Sequence, residues 1–188
     1  MMTTKDPGAD LRLAGWLTYA SGVLGAIGLT FLFAMAAAFA MEVRSAAMVF
    51  GQANDVLVLV SYLLTAPAVL ALAPLLRPKF PILYPVLAVI ALLSIAGIVV
   101  LQGLLVIGVL SFEQEMTPVS IVYIGLAIWF MLGGYLGRIA GVLPDGLRWG
   151  ILGASYVGYP VWAFWMSRRL LQRSRQTVPG RLLGTTEG

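Results

Sequence analysis

Residues 81–112 read PILYPVLAVIALLSIAGIVVLQGLLVIGVLSF, and no side chain in this stretch carries a charge. A helix needs about 20 residues to cross a hydrocarbon layer about 30 Å thick, because each residue adds about 1.5 Å. In lipid the backbone must satisfy its own hydrogen bonds, and a continuous apolar run without alternation does so as a helix. Residues 81–112 therefore predict a membrane-spanning helix.

Four further uncharged stretches accompany this one, at residues 13–41, 56–76, 119–137 and 149–166. The whole chain is 60% hydrophobic and 11% charged, whereas soluble domains carry about 25% charged residues. The sequence predicts an all-α integral membrane protein with a polar N-terminus at 1–12 and a basic polar tail at 167–188. Between them, residues 13–166 form one bundle of about five hydrophobic helices with short loops, which crosses the cell membrane several times.

The stretch 149–166 differs from the other four, because it is short for a span, contains Pro160 and is dense in aromatic residues. The basic loops after the second and fourth stretches place the N-terminus in the cytoplasm by the positive-inside rule. If residues 149–166 cross the membrane, the tail divides the basic residues evenly between the two sides. If they re-enter, all basic residues except Arg44 share one side. The side of the tail stays open at this point.

Two stripes of small residues recur every four positions, which is just over one helical turn. Such a stripe lets another helix backbone approach closely. Either the fourth and fifth stretches pack on each other, or the stripes form a docking face for a partner. The two helix-packing stripes consist of Gly133, Gly137 and Gly141, and of Gly150, Ala154 and Gly158.

Polar groups and prolines within the apolar stretches predict a possible intramembrane pocket. Gln102 is the one amide deep inside a stretch, and it needs a partner in lipid. Pro67 and Pro74 lie on one face of the second stretch, where each removes a backbone hydrogen bond and frees a carbonyl such as that of Leu63. With Tyr62 and Tyr123, these residues could line a binding site.

Several classes of chemistry are excluded because the chain contains neither histidine nor cysteine. Bound haem with histidine ligands, metal sites built from His or Cys, and thiol nucleophiles all require these residues. Neither lysine lies in an apolar stretch, which argues against a retinal Schiff base. We expect no catalytic residues and no metal site, and the cofactor is unknown. A lipid head-group enzyme would have to use Glu42, Asp55 and Glu113 together.

The segments QAND at Gln52–Asp55 and GVLPDGLRWG at Gly141–Gly150, followed by a last stretch rich in glycine and aromatic residues, carry a resemblance. The chain resembles small multi-span membrane proteins of bacteria that have no assigned activity. The resemblance implies a bacterial inner-membrane protein and transfers no catalytic residue.

Two functions follow as hypotheses. The first is a non-enzymatic accessory subunit or scaffold, which packs against other membrane subunits or itself within the lipid bilayer. The second is a binder or carrier of a small lipophilic molecule such as a lipid, a quinone or a carotenoid. Nucleic acid is not expected as a partner, because the basic residues lie at the ends of apolar stretches and in the tail.

Overall fold

The computed structural model describes residues 7–176, so residues 1–6 and 177–188 of the predicted polar termini lie outside the described part. The described chain is helical throughout and contains no strand. Its seven helices are α1 (Pro7–Ala40), α2 (Arg44–Leu63), α3 (Ala66–Leu76), α4 (Leu83–Val106), α5 (Phe112–Ile139), α6 (Gly146–Gly153) and α7 (Tyr159–Gln176).

Four segments of the described chain are long and apolar enough to cross a membrane. The predicted bundle of hydrophobic helices is thus confirmed, but its count is four candidate spans and not about five. The second candidate span consists of α2 and α3 together. The four segments are Gly8–Ala40, Arg44–Leu76, Leu83–Val106 and Phe112–Ile139.

The missing fifth span is the stretch 149–166, which forms two helices instead of one. α6 ends at Gly153, the chain turns, and α7 begins at Tyr159. Pro160 lies in the first turn of α7, where its missing N–H costs no helical hydrogen bond, whereas inside one continuous helix over 149–166 it would remove one. The Ser155 hydroxyl closes the turn by accepting a hydrogen bond from the Gly158 backbone N–H, at an N–O distance of 3.0 Å. We call residues 146–176 the hairpin.

Both arms of the hairpin reach the same end of the bundle. α6 starts beside Gly134 near the end of α5 and runs back along it, so that Gly150 lies against Phe130. α7 then returns along α1, where Leu171 lies against Gly15. Because α7 runs in the opposite direction to α6, the hairpin begins and ends at the same end of the bundle.

The two ends of the bundle differ in charge. We call the end that holds the start of α1 and the last turn of α7 the basic end, and the opposite end the acidic end. At the basic end, the Arg173 guanidinium donates to the carbonyl oxygen of Val142 at 3.0 Å, and Lys79 Nζ donates to that of Ala140 at 3.0 Å. These two bonds tie α7 and the α3–α4 loop to the end of α5.

α2 and α3 are separated by a break at residues 64–65, two residues before Pro67. The Thr65 backbone N–H donates to the carbonyl oxygen of Tyr62 instead of that of Ser61. Pro67 has no backbone N–H and disfavours a regular α-helix leading into it. The chain therefore forms a tighter turn here, with a hydrogen bond between residues three apart instead of four. The break leaves the Ser61 carbonyl open to side-chain donors.

The start of α5 is fixed by a capping box. The Ser111 side chain accepts from the Gln114 backbone N–H, and the Gln114 side chain accepts from the Ser111 backbone N–H. Each bond satisfies a backbone donor that the helix itself leaves open. Glu113 and Glu115 lie in this first turn, where negative charge is favourable to the helix dipole.

Candidate functional site

Four tyrosines meet on the axis of the bundle, and we call them the tyrosine cluster: Tyr62, Tyr123, Tyr156 and Tyr159. The ring centroids of Tyr62 and Tyr123 are 5.4 Å apart in an edge-to-face arrangement, and those of Tyr62 and Tyr159 are 4.7 Å apart. The rings come from α2, α5 and the hairpin. Side chains, and not helix backbones, therefore close the space between α2 and α5 at this level.

The inner side of the tyrosine cluster is held by hydroxyl groups around the Ser61 carbonyl. Three hydroxyl groups lie within hydrogen-bond distance of this oxygen: Ser21 Oγ at 2.7 Å, Thr65 Oγ1 at 3.1 Å and the Tyr159 hydroxyl at 3.2 Å. Each hydroxyl donates one proton, so the hydrogen bonds are shared between the carbonyl oxygen and the neighbouring hydroxyl groups. The Tyr159 hydroxyl also bonds to the Ser21 and Thr65 hydroxyls. The Ser61 hydroxyl itself is buried without a hydrogen-bond partner. The helix break thus gathers α1, α2 and α7 at one point.

The tip of the hairpin is anchored to α2 by a second group of polar contacts. The Tyr156 hydroxyl donates to Asn54 Oδ1 at 2.8 Å, and Asn54 Nδ2 donates to Asp55 Oδ1 at 3.4 Å. Asn54 is buried. Its side chain therefore connects the hairpin tip to a carboxyl group near the acidic end.

Asp55 and Glu115 form a carboxyl pair that faces the tyrosine cluster. The two carboxyl groups lie close enough to influence each other electrostatically, and both lie near Tyr123. Glu115 is only 2% exposed, and its Oε1 atom has no hydrogen-bond partner. Within residues 7–176, no lysine or arginine side chain pairs with either carboxyl group. This site therefore contains hydrogen-bond acceptor atoms that have no matching hydrogen-bond donors.

Gln102 of α4 lies at the same end of the bundle. It is 7% exposed, and its Oε1 atom has no hydrogen-bond partner. Because α4 and α5 are antiparallel and Gly97 lies against Val122, Gln102 is level with the first turns of α5. Its neighbour Gly103 faces Leu59 of α2. The amide is thus placed between α2 and the Glu115 region of α5.

The structure brings together two of the five predicted pocket residues. Tyr62 and Tyr123 are in ring contact, and Gln102 lies toward the acidic end on the inner face of α4. Pro67 and Pro74 lie in α3, on the other side of the helix break. Pro74 is exposed on the outside of the bundle and has no part in the site. The sequence argument pointed to the carbonyl of Leu63, whereas side-chain donors gather on that of Ser61.

The small-residue stripes face inward for the most part. Gly133, Gly137, Gly150 and Gly158 are buried, and Gly137 lies against Leu143. Ala154 is the C-cap of α6. Gly141 has a positive φ of 71° in the turn after α5, and a methyl group on it would meet no atom within 4 Å.

A further close approach of α5 and α6 involves two glycines that the spacing argument did not select. A methyl group on Gly134 would clash with the Gly146 carbonyl, and one on Gly146 would clash with the Gly134 carbonyl. Gly146 follows Pro144 and Asp145, so the sequence identified it only as part of a turn. The contact became visible once α6 was known to fold back along α5.

The predicted acidic group does not assemble as a triad. Glu42 and Glu113 are exposed, and the buried partner of Asp55 is Glu115. Among the described residues, no three His, Cys, Asp or Glu side chains are grouped so that they could hold a metal ion. Glu115 precedes the buried Leu126 by eleven residues, about three helical turns, and shares its face of α5, whereas Glu113 does not; only the structure shows that this face meets the core.

The free space at the tyrosine cluster is small. A cavity of about 10 Å³ lies against Ser61, Tyr62, Tyr156 and Tyr159, which is about the space that one water molecule needs. A wider groove of about 350 Å³ lies at the basic end, between Arg12 of α1 and Arg175 of α7. Any larger molecule at the cluster must therefore displace side chains.

Comparisons with protein-family models, with curated proteins and with solved structures find no match to this chain.

Proposed function

We propose that the protein is a multi-pass membrane protein that binds a small lipophilic molecule in the acidic-end half of its helical bundle. The observation that supports this most directly is Gln102 Oε1, an amide oxygen that is buried without a hydrogen-bond partner. A buried amide without a partner costs about 1–3 kcal/mol. A ligand that donates a hydrogen bond to this oxygen would remove that cost.

The way in for such a molecule is the space between α2 and α5. These two helices are bridged by the rings of Tyr62 and Tyr123, and not by direct backbone packing. Aromatic side chains turn about two torsion angles, so a ligand can take their place without moving a helix. The tip of the hairpin, at residues 154–158, has no regular helix and is held by the Tyr156–Asn54 hydrogen bond.

The other hypothesis, an accessory subunit or scaffold that packs on other membrane subunits or on itself, remains a second proposal. Its main support was the pair of glycine stripes, and most of their members are used inside this chain. Gly22 and Gly25 of α1 likewise lie against α7. The apolar outer faces of α1 and α4 are what lipid alone requires, so they do not favour a protein partner.

The proposed location is the bacterial inner membrane, with the basic end in the cytoplasm. The positive-inside rule supports this orientation, since the described basic residues other than Arg44 lie in the basic-end half of the bundle. Lys5 and Arg181 lie outside the described residues. Because the hairpin returns to the end it started from, α7 ends on the same side as α1 begins.

The experiment that tests binding is native mass spectrometry of the chain in lipid nanodiscs, extracted from cells that do not overexpress it. We expect one small molecule per chain, released on unfolding and identical between preparations. The Gln102→Leu variant should lose it, and Gln52→Leu, an exposed glutamine of α2, should keep it. A chain of 20.1 kDa that carries only bulk lipid in every preparation would rule out the binder. A constant second polypeptide would favour the subunit.

A further inference from the structure

The carboxyl pair at the acidic end lacks a positive partner. Glu115 is almost fully buried, Asp55 interacts with it, and no lysine or arginine among residues 7–176 pairs with either. Two like charges close together in a poorly solvated site repel each other, and buried charges in proteins are normally paired. A bound cation would supply that pairing.

At the acidic end, two acceptor atoms are buried without a hydrogen-bond donor. Glu115 Oε1 and Gln102 Oε1 have no donor, and Asn54 Oδ1 is already used by the Tyr156 hydroxyl. A carboxylate and an amide oxygen can only accept hydrogen bonds. The complementary ligand group therefore carries N–H donors, a positive charge, or both. An anion or a ligand rich in acceptors would add to the imbalance.

Aromatic rings surround the inner side of the carboxyl pair. Tyr123 lies near both carboxyl groups, and its ring meets that of Tyr62 edge to face. Tyr156 lies next to them through its bond to Asn54. Tyrosine faces attract organic cations, with a larger effect when the site excludes water. An inorganic cation fits less well, since no metal-holding group of three side chains exists in the described chain.

We propose that the ligand of this site is an organic cation, a protonated amine or quaternary ammonium on an apolar body. Its charge lies between Asp55 and Glu115, and its apolar part replaces or stacks on Tyr62 and Tyr123. This inference rests on the proposed binding function and names the class of its ligand. Access is through the space between α2 and α5, at the acidic end, where Glu115 lies in the first turn of α5.

The test uses two probes of nearly equal shape, benzyltrimethylammonium and its uncharged analogue neopentylbenzene. Each is titrated by calorimetry into the full chain in phosphatidylcholine nanodiscs, with empty discs as the blank. We expect saturable binding of the ammonium probe alone. Glu115→Gln and Asp55→Asn should each weaken it at least about tenfold, because each removes a buried charged partner.

Glu113→Gln is the matched control, since Glu113 is exposed in the same first turn of α5. It should change the affinity by less than about twofold, as expected for a solvent-exposed charge. Glu115→Asp keeps the charge and should bind more tightly than Glu115→Gln. That comparison separates loss of charge from loss of fold, and thermal unfolding of each variant provides a second check.

Equal binding of both probes, or equal affinity in the wild type and both carboxamide variants, would overturn the cation assignment. The same holds if the molecule extracted from native membranes is neutral or anionic, and in that case the binding function still stands. If neither probe binds and native extraction yields no constant molecule, both proposals are wrong. A positively charged native molecule that Glu115→Gln fails to retain would support both.

Discussion

The carbonyl of Ser61 shows how one residue can hold three helices together. In a regular helix this oxygen would accept from the Thr65 backbone N–H, but that donor turns to Tyr62 at the helix break. Hydroxyl groups of Ser21, Thr65 and Tyr159 take its place. In lipid such polar contacts between helices replace the hydrophobic driving force that is available in water.

Replacing Tyr159 by Phe should therefore destabilise the bundle without changing its ring packing. The variant keeps the contact with Tyr62 and loses the hydroxyl that bonds to Ser21 and Thr65. Ser21 and Thr65 still reach each other at 3.2 Å, so the loss should be about 0.5–1.5 kcal/mol, a typical range for interhelical hydrogen bonds in membranes.

An SDS unfolding titration measures this difference. Tyr19→Phe serves as the control, because Tyr19 is 45% exposed and its ring also packs against α7, at Phe164. Equal stability of the Tyr159→Phe variant and the wild type would mean that the hydroxyl group contributes nothing to the fold.

At this scale the sequence identified polar residues but not how they pair. Gln102, Tyr62 and Tyr123 could be selected because polar groups are rare in apolar stretches. Helix phase puts Glu113 and Glu115 on different faces of α5, but it cannot say which of these faces meets the core. The contact between Asn54 and Tyr156 spans 102 positions, and no local pattern carries information about it.

At the scale of an element, the sequence likewise predicts one part of the hairpin structure and not the other. The short apolar stretch, Pro160 and the small residues before it signalled a break in 149–166. They could not distinguish a re-entrant hairpin from a kinked span, since both satisfy local backbone preferences. The direction of α6 is set by backbone contact with α5 at Gly134 and Gly146, and the sequence does not reveal that pairing.

The second arm of the hairpin, α7, includes the first part of the segment that the sequence predicts as a polar tail. Residues 167–176 continue α7, and Ser167, Leu170 and Ser174 are buried. Basic side chains on the other face include Arg169, which lies over the ring of Trp165. Long basic side chains cover apolar surface while their charge stays near water, so a polar composition here did not exclude packing.

Gly150→Ala tests whether the hairpin depends on close backbone approach. A methyl group at this position would clash with the carbonyl of Phe130 on α5. Backbone atoms cannot turn aside as a side chain can, so α6 must move away from α5. We expect a loss of about 1–3 kcal/mol, the usual cost of overpacking a tight contact.

Gly103→Ala is the matched control in the same unfolding titration. A methyl group on Gly103 would meet only Leu59 Cδ1, at 3.8 Å, and alanine favours the helix over glycine by about 1 kcal/mol. This variant should be as stable as the wild type or more so. If Gly150→Ala is equally well tolerated, α6 does not pack on α5 as the structure shows.

At the scale of the whole molecule, the hairpin resolves the conflict in the charge pattern. A fifth crossing would have divided the basic residues evenly between the two sides of the membrane. Because α6 starts at the basic end and α7 returns to it, all described basic residues except Arg44 lie in the basic-end half of the bundle. One-sided basic charge is what the positive-inside rule requires of a multi-pass protein, so fold and charge pattern agree.

Cysteine labelling in intact bacterial cells tests this arrangement, and the natural absence of cysteine makes each introduced thiol unique. Three exposed positions suffice: Glu113 at the acidic end, Pro78 in the α3–α4 loop and Gln176 at the end of α7. A membrane-impermeant maleimide should label Glu113→Cys directly, and Pro78→Cys and Gln176→Cys only after permeabilisation. Labelling of both Glu113→Cys and Gln176→Cys from outside would mean that the hairpin crosses. The reverse pattern at all three positions would keep the hairpin and invert the orientation, since Gln176 would still share its side with Pro78.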